Sequence, residues 1–278
     1  MIRVCCDSNA QLAPGLAARH VIEVVPLTVT VDGVAHLEGV ELDADDFWAA
    51  FADGHVPEVS TAAPSPGQFV EAYERLVADG ATEIVSVHTG SDISATFDAA
   101  RLASQQVDVP VELVDTGAAS FVVGLAAVAA AERLAAGGTA ADAAQAASTV
   151  ASTSGNVFVV GALDLARSGG RLAAGGDEPP STDSVPVLRL LHGQMSVIGQ
   201  AHGVEDAAAQ IAVEILSAGD RLRVGLSVAD PDARPIVDAL RRALEASPAQ
   251  LELLEYRVGP SVGAHTGPGT AGAVYHPI

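Results

Sequence analysis

Residues 83–96 read Glu83-Ile84-Val85-Ser86-Val87-His88-Thr89-Gly90-Ser91-Asp92-Ile93-Ser94-Ala95-Thr96. The first six form a short, mostly apolar run that predicts a strand. Gly90 to Ser94 predicts a polar turn, and a helix follows to about residue 107. Just upstream, Ser65-Pro66-Gly67-Gln68 carries a helix start: a capping Ser, Pro at the first helical position, and Gln three residues after the cap. That helix runs to about residue 79 and stops at Gly80. Working outward, the alternation continues. Residues 2–6 predict a first strand ending in Asp7-Ser8-Asn9. Residues 21–31 predict another, with Asp32-Gly33 as a hairpin signal. Asp43 is placed to cap a helix reaching residue 51. Residues 111–114 predict a strand ending at Asp115-Thr116, and two helices follow, broken at Gly137-Gly138 and restarted at Thr139. Such alternation calls for an α/β fold: a doubly wound, mainly parallel sheet with helices on both faces.

The second half has a different rhythm. Residues 157–161 predict a strand and 163–167 a short helix ending at Gly169-Gly170, followed by a polar, Gly/Pro-rich stretch over 172–183. Residues 185–191 and 195–200 predict a hairpin through His192-Gly193. Helices are expected at 204–217 and 231–246, and strands at 222–228 and 251–258. This reads as a second α/β domain with a mixed sheet and helices on one face. The expected domains are therefore 1–153 and 154–278. The last twenty residues, Gly259 to Ile278, are Gly-rich and lack any acid. Their Gly and Pro content predicts a tight loop rather than a helix, bringing His265 and backbone amides toward a ligand.

Composition narrows the function. Of 278 residues, 49% are hydrophobic but only 4% aromatic, so Ala, Val and Leu must build the core. The formal net charge is -21, and all 14 basic side chains are Arg. Without Lys there is no P-loop lysine and no Schiff-base chemistry. The acidic balance argues against nucleic acid, which needs a basic face. The longest apolar run, about 118–131, falls short of the ~20 residues of a membrane span. The N-terminus shows no secretory leader. A cytoplasmic protein is expected. Cys5 and Cys6 are strand neighbours that point to opposite faces, which excludes an ordinary disulfide between them and predicts two small buried residues. No spacing fits a metal site, and no cofactor motif is present.

Several turns carry hydroxyls. Ser94 sits after a strand at a helix start, where unpaired N–H groups favour an anion. Thr61 lies in the loop Ser60-Thr61-Ala62-Ala63-Pro64-Ser65. Asp7-Ser8 ends the first strand, where open α/β sheets bind ligands. Asp230 and Asp232 are expected as helix-start acids. Gly259-Pro260-Ser261-Val262-Gly263 matches the nucleophile-elbow pattern. It is rejected because no acid follows Glu255 and no helix is expected after it.

In order along the chain, Asp7-Ser8, Val25-Pro26-Leu27 with Asp32-Gly33, Thr61-Ala62-Ala63-Pro64-Ser65, Ser94-Ala95-Thr96, Gly169-Gly170-Arg171 and Gly263-Ala264-His265-Thr266-Gly267-Pro268-Gly269 together resemble the DegV family of bacterial fatty-acid-binding proteins, over essentially the full length. The resemblance implies two domains with a long-chain fatty acid, such as palmitate or oleate, buried in an apolar tunnel between them. Its carboxylate would be held by Thr61 and Ser94, with His265 near the headgroup and Thr96 shaping the turn. It implies no catalytic residue and lipid transport or presentation to a fatty acid kinase subunit. Departures are Ala62, Ala95 and His202, at positions where the family carries Ser, Gly and a basic residue. The rival reading is a Ser/His-dependent enzyme acting on an acyl or small keto substrate, with Ser94 as nucleophile and His265 as base.

Overall fold

The structure, a computed structural model, describes residues 1–52, 55–161, 184–191 and 194–278. The expected helix at 163–167, Gly169-Gly170-Arg171, the polar stretch at 172–183 and the His192-Gly193 turn lie outside the described residues. The strands are β1 (Ile2–Asp7), β2 (Ile22–Val25), β3 (Thr28–Val31), β4 (Val34–Leu37), β5 (Val59–Ala62), β6 (Glu83–His88), β7 (Val111–Asp115), β8 (Gly155–Val159), β9 (Val185–Leu191), β10 (Gln194–Ala201), β11 (Arg221–Val228), β12 (Gln250–Arg257) and β13 (Ala271–Pro277). The helices are α1 (Pro14–His20), α2 (Ala44–Ala49), α3 (Pro66–Ala78), α4 (Thr96–Ser104), α5 (Phe121–Ala135), α6 (Ala140–Thr153), α7 (Val204–Leu216), α8 (Arg234–Glu245) and α9 (Pro260–Thr266).

The chain divides into two compact units, Met1–Leu42 with Glu58–Ser152, and Asp43–Pro57 with Thr153–Ile278. The sequence reading, with its one boundary at 153/154, gave no sign of the Asp43–Pro57 excursion.

The first unit is built on the parallel sheet β2-β1-β6-β7. Strand alternation sends Val4, Cys6, Val85 and Val87 to one face, against α5 and α6. Cys5 and Ile84 go to the other, against Phe69, Ala72, Tyr73 and Leu76 of α3 and the alanines of α4. The two cysteines therefore do face opposite ways, and burial pushes both thiols well above their usual range. The many alanines let helices lie close on the sheet, while each buried Phe or Leu adds roughly 1.5–3 kcal/mol. The apolar run at 118–131 is mostly α5, buried along most of its length. Among the described residues no helix is long and apolar enough to cross a membrane.

Residues 21–31 do not form one strand. Pro26 has no N–H to give a ladder, and Leu27 N–H instead donates to Ser8 Oγ at 2.9 Å. The chain leaves the parallel sheet at Val25 and restarts as β3 in a separate antiparallel sheet, β4-β3-β5. Asp32 and Gly33, at φ 48° and 81°, make the expected two-residue hairpin turn. The capping box at Ser65 and Gln68 is present, and α3 ends before Gly80 at φ 90°. The helix after β6 is shorter than expected, starting at Thr96 and stopping at Ser104.

The second unit holds the mixed sheet β10-β9-β8-β13-β11-β12, parallel only between β11 and β12. Helices α7 and α8 pack on each other and on its strands. The expectation of a loop over the last twenty residues is wrong. They form α9 and then β13, which lies between β8 and β11. The glycines serve close approach rather than looseness. A Cβ at Gly263 would lie 2.6 Å from the Phe47 ring and 2.8 Å from Trp48, and one at Gly272 would lie 2.2 Å from Val157 O. Pro260 occupies the first turn of α9, where its missing N–H costs nothing. This same packing ties α2 to the second unit: Trp48, the chain's one tryptophan, donates from Nε1 to Val258 O at 2.8 Å.

Candidate functional site

In the parallel sheet, the chain goes from β1 outward to β2 on one side and later to β6 and β7 on the other. The strand order therefore reverses between β1 and β6. Open α/β sheets take ligands at the carboxyl ends of the strands flanking such a point. Here those ends are Asp7-Ser8-Asn9 and His88-Thr89-Gly90.

Asp7 is fully buried, yet its carboxylate is saturated. Oδ1 accepts from Asn9 N–H at 3.1 Å and Thr89 Oγ1 at 2.9 Å. Oδ2 accepts from Thr89 N–H at 3.0 Å and faces His88 Nδ1 at 3.1 Å. A buried charge is tolerated only with such partners. Behind it, His88 Nε2 lies 2.7 Å from Ser86 Oγ, which lies 2.9 Å from the Tyr73 hydroxyl. The Phe69 ring meets His88 edge-on at 4.9 Å. Burial pushes the Tyr73 phenol well above its usual range, so it stays protonated. In front, Asn9 Oδ1 accepts Ser120 N–H at 2.8 Å. Ser120 holds φ 63° and ψ −151°, a region ordinarily left to glycine. Ser8 does other work: it donates to Glu38 Oε2 and accepts from Leu27 N–H, tying β1 to the turn that opens the antiparallel sheet.

The Ser94 turn is locked onto the neighbouring loop. Gly90 N–H donates to Ala118 O at 2.8 Å, and a Cβ on Gly90 would lie 2.8 Å from Gly117. Asp115 accepts from Ser91 N–H, the Ser91 hydroxyl and Gly117 N–H, at 3.1, 2.5 and 3.1 Å. Ser94 N–H closes the turn on Gly90 O at 3.0 Å. Ser94 is thus half-buried and fixed one residue before the cap position, which Ala95 occupies. Its Oγ lies 2.8 Å from Thr96 Oγ1 and accepts from Thr96 N–H at 3.3 Å.

Of the four expected site residues, the structure brings together Ser94 and Thr96. Thr61 is not on a loop but on β5, opposite Val29 and half-buried. His265 belongs to the second unit and sits on α9 rather than between loose glycine turns. The turn after it is also fixed. Buried Asp230 caps the 3-10 turn at Pro231–Ala233 as expected, and both its oxygens also accept Gly269 N–H at 3.1 Å.

A helix does follow strand β12 here, contrary to one ground for rejecting the elbow, and Ser261 lies in its first turn. It is an ordinary helical residue without positive φ, and no acid follows Glu255, so the rejection stands. Among the described residues no group of three His, Cys, Asp or Glu is placed to hold a metal ion. Sequence reasoning missed His88, Ser86 and Tyr73. The signal was there: residues 84, 86 and 88 share one strand face, and Phe69 and Tyr73 share one helix face.

The hydroxyl-bearing Ser94 turn is thus fixed where open α/β sheets take ligands. The comparisons narrow this further. The family model described as "Uncharacterised protein, DegV family" matches residues 1–277. A DegV domain-containing protein of Streptomyces coelicolor is 35% identical over 98% of this chain and 97% of its own. A Thermus thermophilus DegV family protein, described by its fatty acid binding, superposes with a TM-score of 0.89 at 28% identity, covering 100% of this chain and 99% of that one. A Thermotoga maritima protein, described as revealing a fatty acid binding function, has a TM-score of 0.86 at 24% identity, over 100% and 99% of the two chains, and supports the fold alone. The chain belongs to the DegV family.

Proposed function

We propose that the protein binds a long-chain fatty acid without chemical change, with Thr61 and Ser94 as hydroxyl ligands of the carboxylate, Thr96 orienting Ser94, and His265 as a further polar partner. The observation that carries this reading is the Ser94–Thr96 hydroxyl pair, at 2.8 Å, on a turn locked beside the switch point. The full-length similarity to the Thermus fatty-acid-binding protein supports it. The energetics suit such a division of labour. Each buried CH₂ contributes roughly 0.8 kcal/mol, so the acyl chain supplies most of the affinity. The headgroup needs only hydrogen bonds to offset its desolvation. Cytoplasmic lipid transport, or presentation of the acid to a kinase subunit, is the role we assign, with palmitate and oleate as the ligands to try first.

The enzyme reading has less support. A Ser–His–Asp series does exist, at Ser86, His88 and Asp7, but all three side chains are fully buried and closed off by Tyr73 and Phe69. None of the three side chains is open to solvent. Ser94→Ala should weaken fatty acid binding about tenfold, the worth of one hydrogen bond to a charged group. Titration by displacement of a fluorescent fatty acid measures this. Unchanged affinity removes Ser94 from the headgroup site, and Ser94-dependent hydrolysis of an activated ester would restore the enzyme.

A further inference from the structure

We propose that His88 is a positioning residue for the ligand's polar end: through Asp7, it fixes the two loops that present Ser94. This rests on the fatty-acid reading above for what is bound, but not for what is held.

The argument follows donors and acceptors. Asp7 already accepts from Asn9 and Thr89, and in the tautomer that continues this pattern His88 Nδ1 donates to Asp7 Oδ2. Nε2 is then free to accept from Ser86 Oγ–H, and Ser86 Oγ in turn accepts from the Tyr73 hydroxyl. Every group in Tyr73–Ser86–His88–Asp7 is satisfied by one direction of donation and one histidine tautomer. Satisfied buried networks of this kind fix a single geometry. Asp7 passes that geometry on. It holds Thr89 by both backbone and hydroxyl and orients Asn9, whose side chain holds Ser120 N–H. Thr89 leads directly into Gly90 and the Ser94 turn. Ser120 ends the loop on which that turn is clamped, through Ala118 and Asp115. Both loops that fix Ser94 therefore trace back to one carboxylate, and the orientation of that carboxylate to one imidazole.

The test uses isosteres that a merely structural role would not separate. The Asn side-chain amide can stand in for Nδ1, and that of Gln for Nε2. His88→Asn should keep the donor to Asp7 and hold fatty acid affinity within about threefold of wild type. His88→Gln should lose that donor and bind about tenfold more weakly, although both variants lose the ring. Equal affinity losses that simply track the loss of thermal stability would overturn the proposal. Should the His88 variants not fold, Thr89→Ser and Thr89→Val test the next link in the same path, since only Ser keeps the hydroxyl donated to Asp7. Amide hydrogen exchange at 90–94 and at Ser120, measured on lipid-free protein, supplies a readout independent of the ligand. Faster exchange there in the Gln or Val variant is expected, and unchanged exchange refutes the positioning role. A wild-type protein that takes up no fatty acid, with variants that still show this exchange difference, would sink the fatty-acid reading and leave the positioning claim intact.

Discussion

The carboxyl edge of the parallel sheet and the C-terminal segment solve one problem with different materials. In both, a glycine-bearing turn beside an expected site residue is held by an aspartate. At the sheet edge, Asp115 holds the turn leading to Ser94, and it does so in the open. At the C-terminus, Asp230 holds the Gly267–Gly269 turn from a buried position. The glycines differ as well. Gly33 is present for its backbone angle and Gly272 for lack of room. Glycine content alone therefore says nothing about looseness.

Substitution separates these roles, and the largest effect should come from crowding. Gly272→Ala places a Cβ 2.2 Å from a backbone oxygen in the middle of a sheet, where nothing can yield. We expect a loss of about 3 kcal/mol in denaturant unfolding. Gly33→Ala meets no atom within 4 Å, and only its φ of 81° is strained. It should cost about 1 kcal/mol. If the two losses are equal, the distinction between glycine for angle and glycine for contact is wrong.

The two aspartates come next. Asp230→Ala removes the carboxylate that accepts from the half-buried Gly269 N–H and from the buried Ala233 N–H, which keeps only the Asp230 carbonyl, and should cost about 2 kcal/mol. Asp115→Ala strands groups that water reaches and should cost at most about 1 kcal/mol. Its clearer effect should be on ligand affinity, through a loosened Ser94 turn. A greater stability loss for Asp115→Ala than for Asp230→Ala would reverse the comparison.

How far the sequence reveals all this depends on what each residue's neighbours are. Strands β1, β6 and β7 and helices α3, α5 and α6 are legible because their periodicity and caps are local. Gly80 and Asp32-Gly33 are legible for the same reason. The break at Pro26 was also readable, since a proline gives no N–H to a ladder and is disfavoured inside a strand. What misled was composition in the last twenty residues: the glycines of α9 and β13 make sense only against Phe47, Trp48 and Val157, which lie far off in sequence. The candidate site divides along the same line. Ser94 and Thr96 are two residues apart and were read together. The strand face of His88 was legible, but its role was not, because its partner, Asp7, is 81 residues away.

The smallest expected effect is electrostatic. Burial, with a lesser push from Arg223, holds His276 below the usual histidine pKa. The neutral ring is favoured in the folded state, so the unfolded chain binds the extra proton. Its contribution to stability is therefore complete above pH 6.5 and is lost as pH falls through the window below it. His276→Gln should flatten the stability profile below about pH 6.5. A profile as steep as wild type would mean that another group governs it.

Native mass spectrometry of the purified protein, followed by denaturing extraction of what it carries, tests the central claim most directly. The account predicts one long-chain fatty acid per chain, released intact. A protein that emerges empty and takes up neither palmitate nor oleate would contradict it.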